Sequence, residues 1–277
     1  MDPVEKAIWF VESRFASDIS LEEVASVAGV SRYHLARAFG EATGWPVMGY
    51  VRARRLTEAA RLLAAGAPDI LAVALDAGYG SHEAFTRAFR DQFGVTPEQV
   101  RSERSLRKVR LVEAIRMDKS LIVELAEPRF ESGRALLIAG LGARYTFEAN
   151  QGIPLQWQRF GPHIGNIAGQ VGTDAYGLCC NFDEDGSFEY IAGVEVSRFS
   201  DLPARFSTAQ APAQKYLVFS HRGHVSKLRA VSYTIWDKWL PESGYEPVNA
   251  PNFEMYGSEF DPETGSGLVE IWLPVRG

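Results

Sequence analysis

The segment from Gly78 to Pro97 carries polar side chains in a pattern that could recognise DNA bases. Its apolar residues recur at the i, i+3, i+4 and i+8 spacing of a helix with one apolar face. The remaining surface carries arginine, serine, threonine and histidine, which form hydrogen bonds with base edges and phosphates. The apolar residues are Phe85, Ala88, Phe89 and Phe93. The polar residues are Ser81, His82, Glu83, Thr86, Arg87 and Arg90.

A short turn with glycine precedes this helix. Gly78 suits the position after the end of a helix, where a positive φ is favoured, and Ser81 suits the N-cap of the next helix. Two helices joined by such a turn form helix-turn-helix geometry, whose polar second helix fits a DNA major groove. A helical hairpin in an ordinary bundle would show the same local pattern.

The same pattern occurs a second time, nearer the amino terminus. Residues 21–29 correspond to residues 70–78, and residues 35–44 correspond to residues 85–94 after a one-residue insertion. Two copies are much rarer by chance than one, so the repeat favours tandem helix-turn-helix motifs over an ordinary bundle. We expect Leu35, Ala38 and Phe39 to face inward and the polar residues of this copy to face outward. These polar residues are Ser31, Arg32, Tyr33, His34 and Arg37.

The segment from Pro46 to Ala65 is predicted to be one helix that connects the two motifs. It contains good helix formers throughout, and Gly66 and Pro68 follow it. Twenty residues give about 30 Å of helix, close to the ~34 Å of one DNA turn. Its arginines could contact phosphates or form a solvated charged face. They are Arg52, Arg54, Arg55 and Arg61.

Residues 1–105 resemble the DNA-binding domain of AraC/XylS-type transcriptional regulators. Residues 49–56 also resemble the connecting helix of the Rob subgroup. One departure is Gln99-Val100 before Arg101, where an aromatic residue is common. The resemblance implies double-stranded DNA and RNA polymerase as partners in a bacterial regulator. The matching residues are Gly78, Tyr79, Ser81, Phe85, Arg87, Phe89, Phe93, Gly94, Pro97 and Arg101.

Length and charge predict a second domain of different character. The first 110 residues carry 15 Lys and Arg against 14 Asp and Glu, whereas the remaining residues carry 14 against 21. The predicted boundaries are 1–105 for the all-α domain, 106–118 for a charged interdomain helix or linker, and 119–277 for the second domain. We find no run of 18 apolar residues and no signal-like amino terminus, which predicts a cytoplasmic protein without a membrane partner. The adjacent Cys179 and Cys180 exclude a disulfide framework, and no metal or cofactor is expected.

The second domain is predicted to be α+β, with a strand–helix–strand–strand order that occurs twice and implies pseudo-twofold symmetry. A hairpin turn is predicted at residues 183–186. The predicted strands and helix of the first half are residues 121–125, 135–141, 155–168, 175–182 and 188–196. Those of the second half are residues 205–209, 215–220, 225–240, 252–260 and 268–275.

Two carboxylates mark a candidate ligand groove in this domain. Glu270 shares one face of the last strand with Leu268 and Trp272, and Glu195 holds the equivalent place in the first half. A groove with glutamates and aromatic walls would bind an amphipathic or cationic organic molecule. A core position is the alternative for each aromatic residue. The aromatic candidates are Trp157, Tyr190, Trp236, Tyr256 and Trp272.

Residues 119–277 resemble the gyrase-inhibitor-like effector-binding domain. The resemblance is carried by residues 190–196, 215–219, 239–245 and 270–274. In that family a glutamate of the closing strand, matched by Glu270, contacts the ligand in an aromatic groove. The combined resemblance predicts a DNA-binding regulator that senses a small amphipathic or aromatic ligand, including cations, as in multidrug sensing.

Two other functions are compatible with the sequence of the second domain. The second domain could be a small-molecule hydrolase, since related isolated domains include hydrolases, or it could serve only as a protein-interaction module. The candidate acid–base residues lack Ser/His/Asp or metal-ligand spacing, so we expect no enzyme and no catalytic residue. They are His163, His221, His224, Glu195 and Glu270.

Overall fold

A computed structural model describes residues 2–115, 122–147, 149–183 and 187–276. The chain divides into two compact units. The first contains Glu5–Gly29 and Val47–Met117, and the second contains Asp2–Val4, Val30–Pro46 and Asp118–Gly277, each over its described residues. Within those residues, no helix is both long and apolar enough to cross a membrane.

Between Pro3 and Glu103 the chain folds into helices joined by short turns, as expected. The third of the seven helices belongs to the second compact unit, whereas the predicted boundary at residue 105 would have grouped it with the others. The helices are α1 (Pro3–Arg14), α2 (Leu21–Ala28), α3 (Arg32–Thr43), α4 (Val47–Ala64), α5 (Ile70–Asp76), α6 (His82–Phe93) and α7 (Pro97–Glu103).

The local signals at the helix ends are confirmed. Ser20 and Thr96 each form the reciprocal hydrogen bonds of a capping box, at the starts of α2 and α7. Gly78 has a φ of 84° after the end of α5. Ser81 accepts a hydrogen bond of 3.1 Å from the amide of Ala84 at the start of α6.

The core of the first unit forms where α6 packs with α4 and α5. The apolar face predicted for α6 is buried through Phe85, Phe89 and Phe93. These rings contact one another edge-on or tilted and join a cluster with Leu56 and Leu63 of α4. At 18 residues, α4 is about 27 Å long, slightly shorter than expected.

Of the interdomain helix or linker expected here, residues 105–115 form no helix and instead run along α4. The amide of Val112 donates to Thr57 Oγ1 at 3.0 Å, and the amide of Ile115 donates to the Tyr50 hydroxyl at 3.0 Å. Val109 is buried in the α6 core. Backbone groups of this segment are thus satisfied by side chains of α4 rather than by helical hydrogen bonds. We call residues 105–115 the strap.

The second unit contains an antiparallel sheet of eight strands in the order β1-β6-β8-β7-β3-β4-β2-β5. If each of β1–β4 is replaced by its counterpart in β5–β8, and each of β5–β8 by its counterpart in β1–β4, the same order is obtained in reverse. This confirms the predicted pseudo-twofold relation. The strands are β1 (Arg129–Gly133), β2 (Leu136–Thr146), β3 (Gln170–Cys180), β4 (Ser187–Val196), β5 (Ser207–Ala211), β6 (Gln214–His224), β7 (Asn252–Asp261) and β8 (Ser266–Pro274).

Each half inserts a helical segment between its second and third strands. In the first half, α8 (Ile153–Phe160) ends at a 3₁₀ turn over Gly161–His163, so it is shorter than predicted. In the second half, helical structure continues from residue 225 to residue 243. It comprises a 3₁₀ turn (Val225–Lys227), α9 (Leu228–Thr234), a π-helical segment (Ile235–Trp239) and α10 (Leu240–Ser243).

The prediction of a strand at residues 121–125 is wrong for its described part, 122–125. The amide of Val123 donates to Thr234 Oγ1 at 3.0 Å, so a side chain of α9 takes the place of a neighbouring strand. The first strand is β1, which the sequence did not predict, whereas the strand predicted at residues 135–141 is confirmed as the first part of β2. The hairpin turn predicted at residues 183–186 lies outside the described residues beyond Asp183.

Candidate ligand cavity and DNA-reading residues

A cavity of about 190 Å³ lies in the second unit. Strands β3, β4, β7 and β8 form one side, and helical residues of α3, α9 and the π segment form the other. Its polar side chains are of mixed charge, and its aromatic rings come from both halves of the sheet. The polar lining residues include Arg37, Glu41, Asn150, Arg229, Asn252 and Glu254. The aromatic lining residues are Phe147, Phe188, Tyr190, Trp236 and Phe253.

Glu254 is the acidic side chain that the sheet contributes to the cavity. Its Oε2 accepts hydrogen bonds from the hydroxyls of Tyr190 at 2.9 Å and Tyr256 at 2.7 Å. Trp157 Nε1 in turn donates to the Tyr190 hydroxyl at 2.9 Å. Burial raises the pKa of Glu254, and the two tyrosine hydroxyls oppose this rise. The Glu254 carboxyl group therefore has hydrogen-bond donors but no ion-pair partner from the sheet, and a cation in the cavity would offset the cost of burying its charge.

Four of the five predicted aromatic residues lie at or beside this cavity. Tyr190 and Trp236 line it. Trp157 and Tyr256 have ring centroids 5.0 Å apart and join the hydrogen-bond network of Glu254. Trp272 is not a lining residue, and its ring stacks on that of Phe253, with centroids 5.4 Å apart, in an apolar cluster of the sheet.

The predicted glutamates lie outside the cavity lining. Arg129 Nη2 lies 2.8 Å from Glu270 Oε1, and Arg134 Nη2 donates to Glu195 Oε2 at 2.6 Å. On β8 the cavity is lined by Ile271 and Leu273, so Glu270 and Trp272 alternate onto the opposite face.

Sequence reasoning did not identify Glu254. It alternates with Asn252 and Tyr256 along β7, in the same way that Glu270 alternates with Trp272 along β8. A glutamate that shares one face of a predicted strand with an aromatic residue was therefore a usable signal. The hydroxyl of Tyr190 comes from a different strand, and only the sheet order brings it to Glu254.

Arg37 of α3 enters the cavity, although the sequence predicted that it faces outward. It is 5 % exposed, and its Cζ lies 4.8 Å from the ring centroid of Phe182 and 5.3 Å from those of Phe147 and Trp236. Its Nη2 also lies 3.3 Å from Glu41 Oε1. The outward prediction failed because aromatic residues distant in sequence form a cage for this guanidinium.

His34 and Tyr33 join the same contact. His34 is 4 % exposed, and its Nε2 donates to the carbonyl oxygen of Trp236 at 2.7 Å. Burial lowers the pKa of His34. The ring of Tyr33 meets those of Phe182 and Trp236 edge-on, each at 5.8 Å. The outward prediction is thus also wrong for His34, whereas Ser31 and Arg32 are exposed at the start of α3.

The polar face of α6 is mostly accessible, as expected. Glu83 and Arg87 are exposed, and Ser81 caps the helix. His82 Nε2 lies 2.9 Å from Glu98 Oε1. Thr86 is half-buried, and its Oγ1 has no hydrogen-bond partner.

Three of the four α4 arginines are bound within the first unit. Arg54 is buried and pairs with Glu12 at 2.8 Å. Arg55 donates to the carbonyl oxygens of Phe15 and Ser17, each at 2.6 Å. These contacts favour a structural role for Arg54 and Arg55 over phosphate contacts. Arg61 pairs with Glu58 and Glu113, whereas Arg52 is exposed.

The histidines considered for catalysis lie apart from the cavity lining. His163 contacts Arg205, and its ring meets Phe206 edge-on. His221 and His224 lie in the exposed end of β6, where His224 Nδ1 accepts from the amide of Ser226. The part of the chain that the structure describes holds no group of three or more His, Cys, Asp or Glu that could bind a metal.

Two family models match the two halves of the chain. A GyrI-like small molecule binding domain matches residues 126–276, and a helix-turn-helix domain matches residues 24–103. The chain therefore belongs to the AraC-type DNA-binding transcription regulators that carry a GyrI-like small-molecule-binding domain. Within that class it is of the Rob type.

Two regulators that are similar in sequence agree with this assignment. The chain is 43% identical to transcriptional regulator Rob of Salmonella typhimurium over 285 residues, which covers 97% of this chain and 96% of that protein. It is 34% identical to transcriptional regulator BrlR of Pseudomonas aeruginosa over 121 residues, spanning 43% of this chain and 44% of that protein. The solved structure of SAV2435 bound to tetraphenylphosphonium covers 55% of this chain and 95% of its own, at 24% identity and a TM-score of 0.47.

Proposed function

We propose that this regulator senses amphipathic organic cations through the cavity that contains Glu254. The observation that carries the proposal is a buried carboxylate held by two tyrosine hydroxyls within aromatic walls. Aromatic rings attract a cation through their faces, and the carboxylate supplies the opposite charge in a desolvated site. Neutral aromatic compounds would gain only the apolar part of this interaction.

Binding rather than catalysis is the function that the cavity supports. His163, His221 and His224 contact other residues away from the cavity. Glu254 accepts hydrogen bonds from phenols whose pKa values are raised by burial, so they do not act as bases near neutral pH. We therefore infer no hydrolytic role for this domain.

DNA recognition is proposed for the accessible polar residues of α6 and for α3 when it is free. Arg87 and Arg32 are exposed and suit base edges or phosphates, together with Ser31, Ser81, His82, Glu83 and Thr86. As a regulator of the AraC type, the protein would act on DNA in the cytoplasm with RNA polymerase as a partner. Affinity for selected operator DNA in Arg87→Ala tests the α6 assignment.

The ligand proposal is tested with two ions of the same shape and opposite charge. We expect calorimetry to detect binding of tetraphenylphosphonium to the full chain, and much weaker binding of tetraphenylborate. Glu254→Gln removes the charge but keeps the shape and the hydroxyl contacts, so it should weaken tetraphenylphosphonium binding about tenfold or more.

Glu270→Gln is the matched control. Glu270 lies on the face of β8 away from the cavity, and Arg129 neutralises its charge. It should leave tetraphenylphosphonium binding within about twofold of the wild type. The reverse result is loss of binding in Glu270→Gln and not in Glu254→Gln. It would assign the ligand site to Glu270, the glutamate that the family resemblance indicated. Equal binding of both ions would contradict charge selection by the cavity.

A further inference from the structure

One face of α3 contacts the ligand-binding half of the chain. Tyr33, His34, Arg37, Gly40 and Glu41 lie at i, i+1, i+4, i+7 and i+8, which places them on a single side of the helix. This face packs on α9 and the π segment. Its backbone approaches so closely at Gly40 that a Cβ there would overlap the ring of Phe147. The contact therefore requires a glycine at this position of α3.

The same face carries the side chains that the sequence assigns to DNA. A guanidinium that lies inside a cage of aromatic rings cannot also reach a base edge or a phosphate. His34 likewise uses its Nε2 on the carbonyl oxygen of Trp236. The observed packing of α3 and the binding of DNA by Arg37 and His34 exclude each other.

The guanidinium of Arg37 has the chemistry that the cavity would select in a ligand. It is a planar cation, it lies against aromatic faces, and it pairs with the carboxylate of Glu41. Its Nε is buried without a hydrogen-bond partner, which leaves the guanidinium incompletely satisfied. A ligand that offers more apolar surface and the same charge would therefore compete with it.

The volume of the cavity supports such competition. Its 190 Å³ is below the roughly 300–1,000 Å³ of sites for drug-sized ligands. Arg37 is one of its lining residues, so withdrawal of this long side chain would enlarge the space and leave both Glu41 and Glu254 facing it.

We propose that Arg37 occupies the cation position of the cavity in the absence of ligand, and that an amphipathic cation displaces it and frees α3 to bind DNA. This inference rests on the proposed function. It makes Arg37 an internal competitor of the ligand. It also gives the small molecule a direct route to the DNA-reading helix, because both act on the same side chain.

Phe182→Ala tests the inference without removing a residue assigned to DNA or to the cavity lining. Phe182 contacts Arg37 and Tyr33 but is not among the described residues that line the cavity. With operator DNA obtained by in vitro selection on the full chain, tetraphenylphosphonium should raise the DNA affinity of the wild type about fivefold or more. Phe182→Ala should have the higher affinity already without the ion and gain less than about twofold from it.

Phe130→Ala is the matched control. Phe130 is an exposed phenylalanine on β1 that contacts Tyr245. It should retain both the low basal affinity and the ligand response. If both variants behave like the wild type in DNA binding with and without the ion, α3 is not held by the aromatic cage and the inference is wrong.

A second measurement uses the wild-type chain and so does not depend on the folding of a variant. The pKa of His34 is lowered by its burial against Trp236. Its titration followed by NMR, assigned with His34→Gln, should move up toward about 6.5 when tetraphenylphosphonium saturates the protein. An unchanged titration, with calorimetric binding of the ion, overturns the displacement of α3 but leaves the proposed ligand site intact.

Failure of the proposed function is a separate result. If tetraphenylphosphonium does not bind at all, the cation site is contradicted. The DNA affinity of Phe182→Ala without any ion then still decides whether α3 is held: an increase supports the cage, and an unchanged affinity refutes it.

Discussion

The acidic residues of the second unit differ in what neutralises them, and the proposed ligand site rests on this difference. Glu195 and Glu270 each pair with an arginine of a neighbouring segment. Glu254 receives only tyrosine hydroxyls from the sheet. In the proposed site, Glu254 thus lacks the cationic partner that Glu195 and Glu270 already have.

Asp237 is a buried acid next to the cavity wall, and it makes stability depend on pH. It is 2 % exposed, its Oδ1 has no hydrogen-bond partner, and burial together with Asp2 raises its pKa to about 7. Its protonated form is therefore favoured by the folded protein. The associated stability is present below the usual pKa of an aspartate and is lost as the pH rises through about 7.

Asp237→Asn should accordingly raise the melting temperature at pH 8 by several degrees and change it little at pH 3, where the acid is protonated in both the folded and the unfolded chain. The reason is that the amide resembles the protonated acid, which already predominates at the lower pH. Asp201→Asn is the control, because Asp201 is exposed and should show no such dependence. An equal effect of Asp237→Asn at both pH values would argue against a raised pKa. Thermal unfolding monitored by circular dichroism provides the comparison.

At the scale of elements, the strap is held to α4 by few but specific hydrogen bonds. The hydroxyl of Thr57 is fully buried and accepts from the amide of Val112. Loss of that acceptor leaves a buried amide unsatisfied, which costs about 1–3 kcal/mol. Arg54 donates to the carbonyl oxygen of the same residue at 2.8 Å. Both the amide and the carbonyl group of Val112 are therefore held by side chains of α4.

Thr57→Val should therefore loosen the strap while it preserves the packing volume of α4. We expect trypsin to cleave faster after Arg107 and Arg110, together with a loss of stability of about 1–3 kcal/mol. Thr57→Ser keeps the hydroxyl and serves as the control, with cleavage close to that of the wild type. If valine and serine at this position give the same cleavage rate, the hydroxyl does not hold the strap.

Much of the element order could be predicted from local sequence, because helix caps and strand alternation are properties of neighbouring residues. Ser20, Gly78 and Thr96 marked helix ends correctly. The strap could not be predicted in this way. Its alternating apolar and charged residues suit a helix, but its amides are satisfied by Tyr50 and Thr57, which are more than 50 residues away.

The same limit applies to the candidate site. The aromatic positions Tyr190 and Trp236 could be nominated from the sequence, since each lies on a predicted strand or helix of the ligand-binding half. The choice between Glu254 and Glu270 depends on which strand face looks into the cavity, and the burial of Arg37 depends on rings from three separate segments. Only the folded arrangement of the second unit contains that information.

For the whole molecule, the proposed release of α3 has a thermodynamic counterpart. Ligand and DNA both favour the state in which Arg37 has left the cavity, so each should strengthen the binding of the other. The two effects must be equal in magnitude, because coupling between binding equilibria is reciprocal.

Operator DNA at saturation should thus raise the affinity for tetraphenylphosphonium by the same factor by which the ion raises DNA affinity. Titrations of the ion with selected operator DNA and with a scrambled duplex of equal length measure this factor. The scrambled duplex controls for nonspecific electrostatics at fixed salt. A decrease in ion affinity on operator DNA would contradict a shared released state.

Under the proposed release of α3, the close fit of Gly40 on Phe147 makes the choice of operator and the choice of ligand depend on the same face of α3. A substitution on this face of α3 that changes the preferred operator would also change the wall of the cavity. It would therefore change the set of compounds that trigger the release of α3. The operators bound and the compounds sensed would then change through the same substitutions. For a biosensor with a new operator, Ser31 and Arg32 are the residues of α3 to vary, since both are exposed outside the contact.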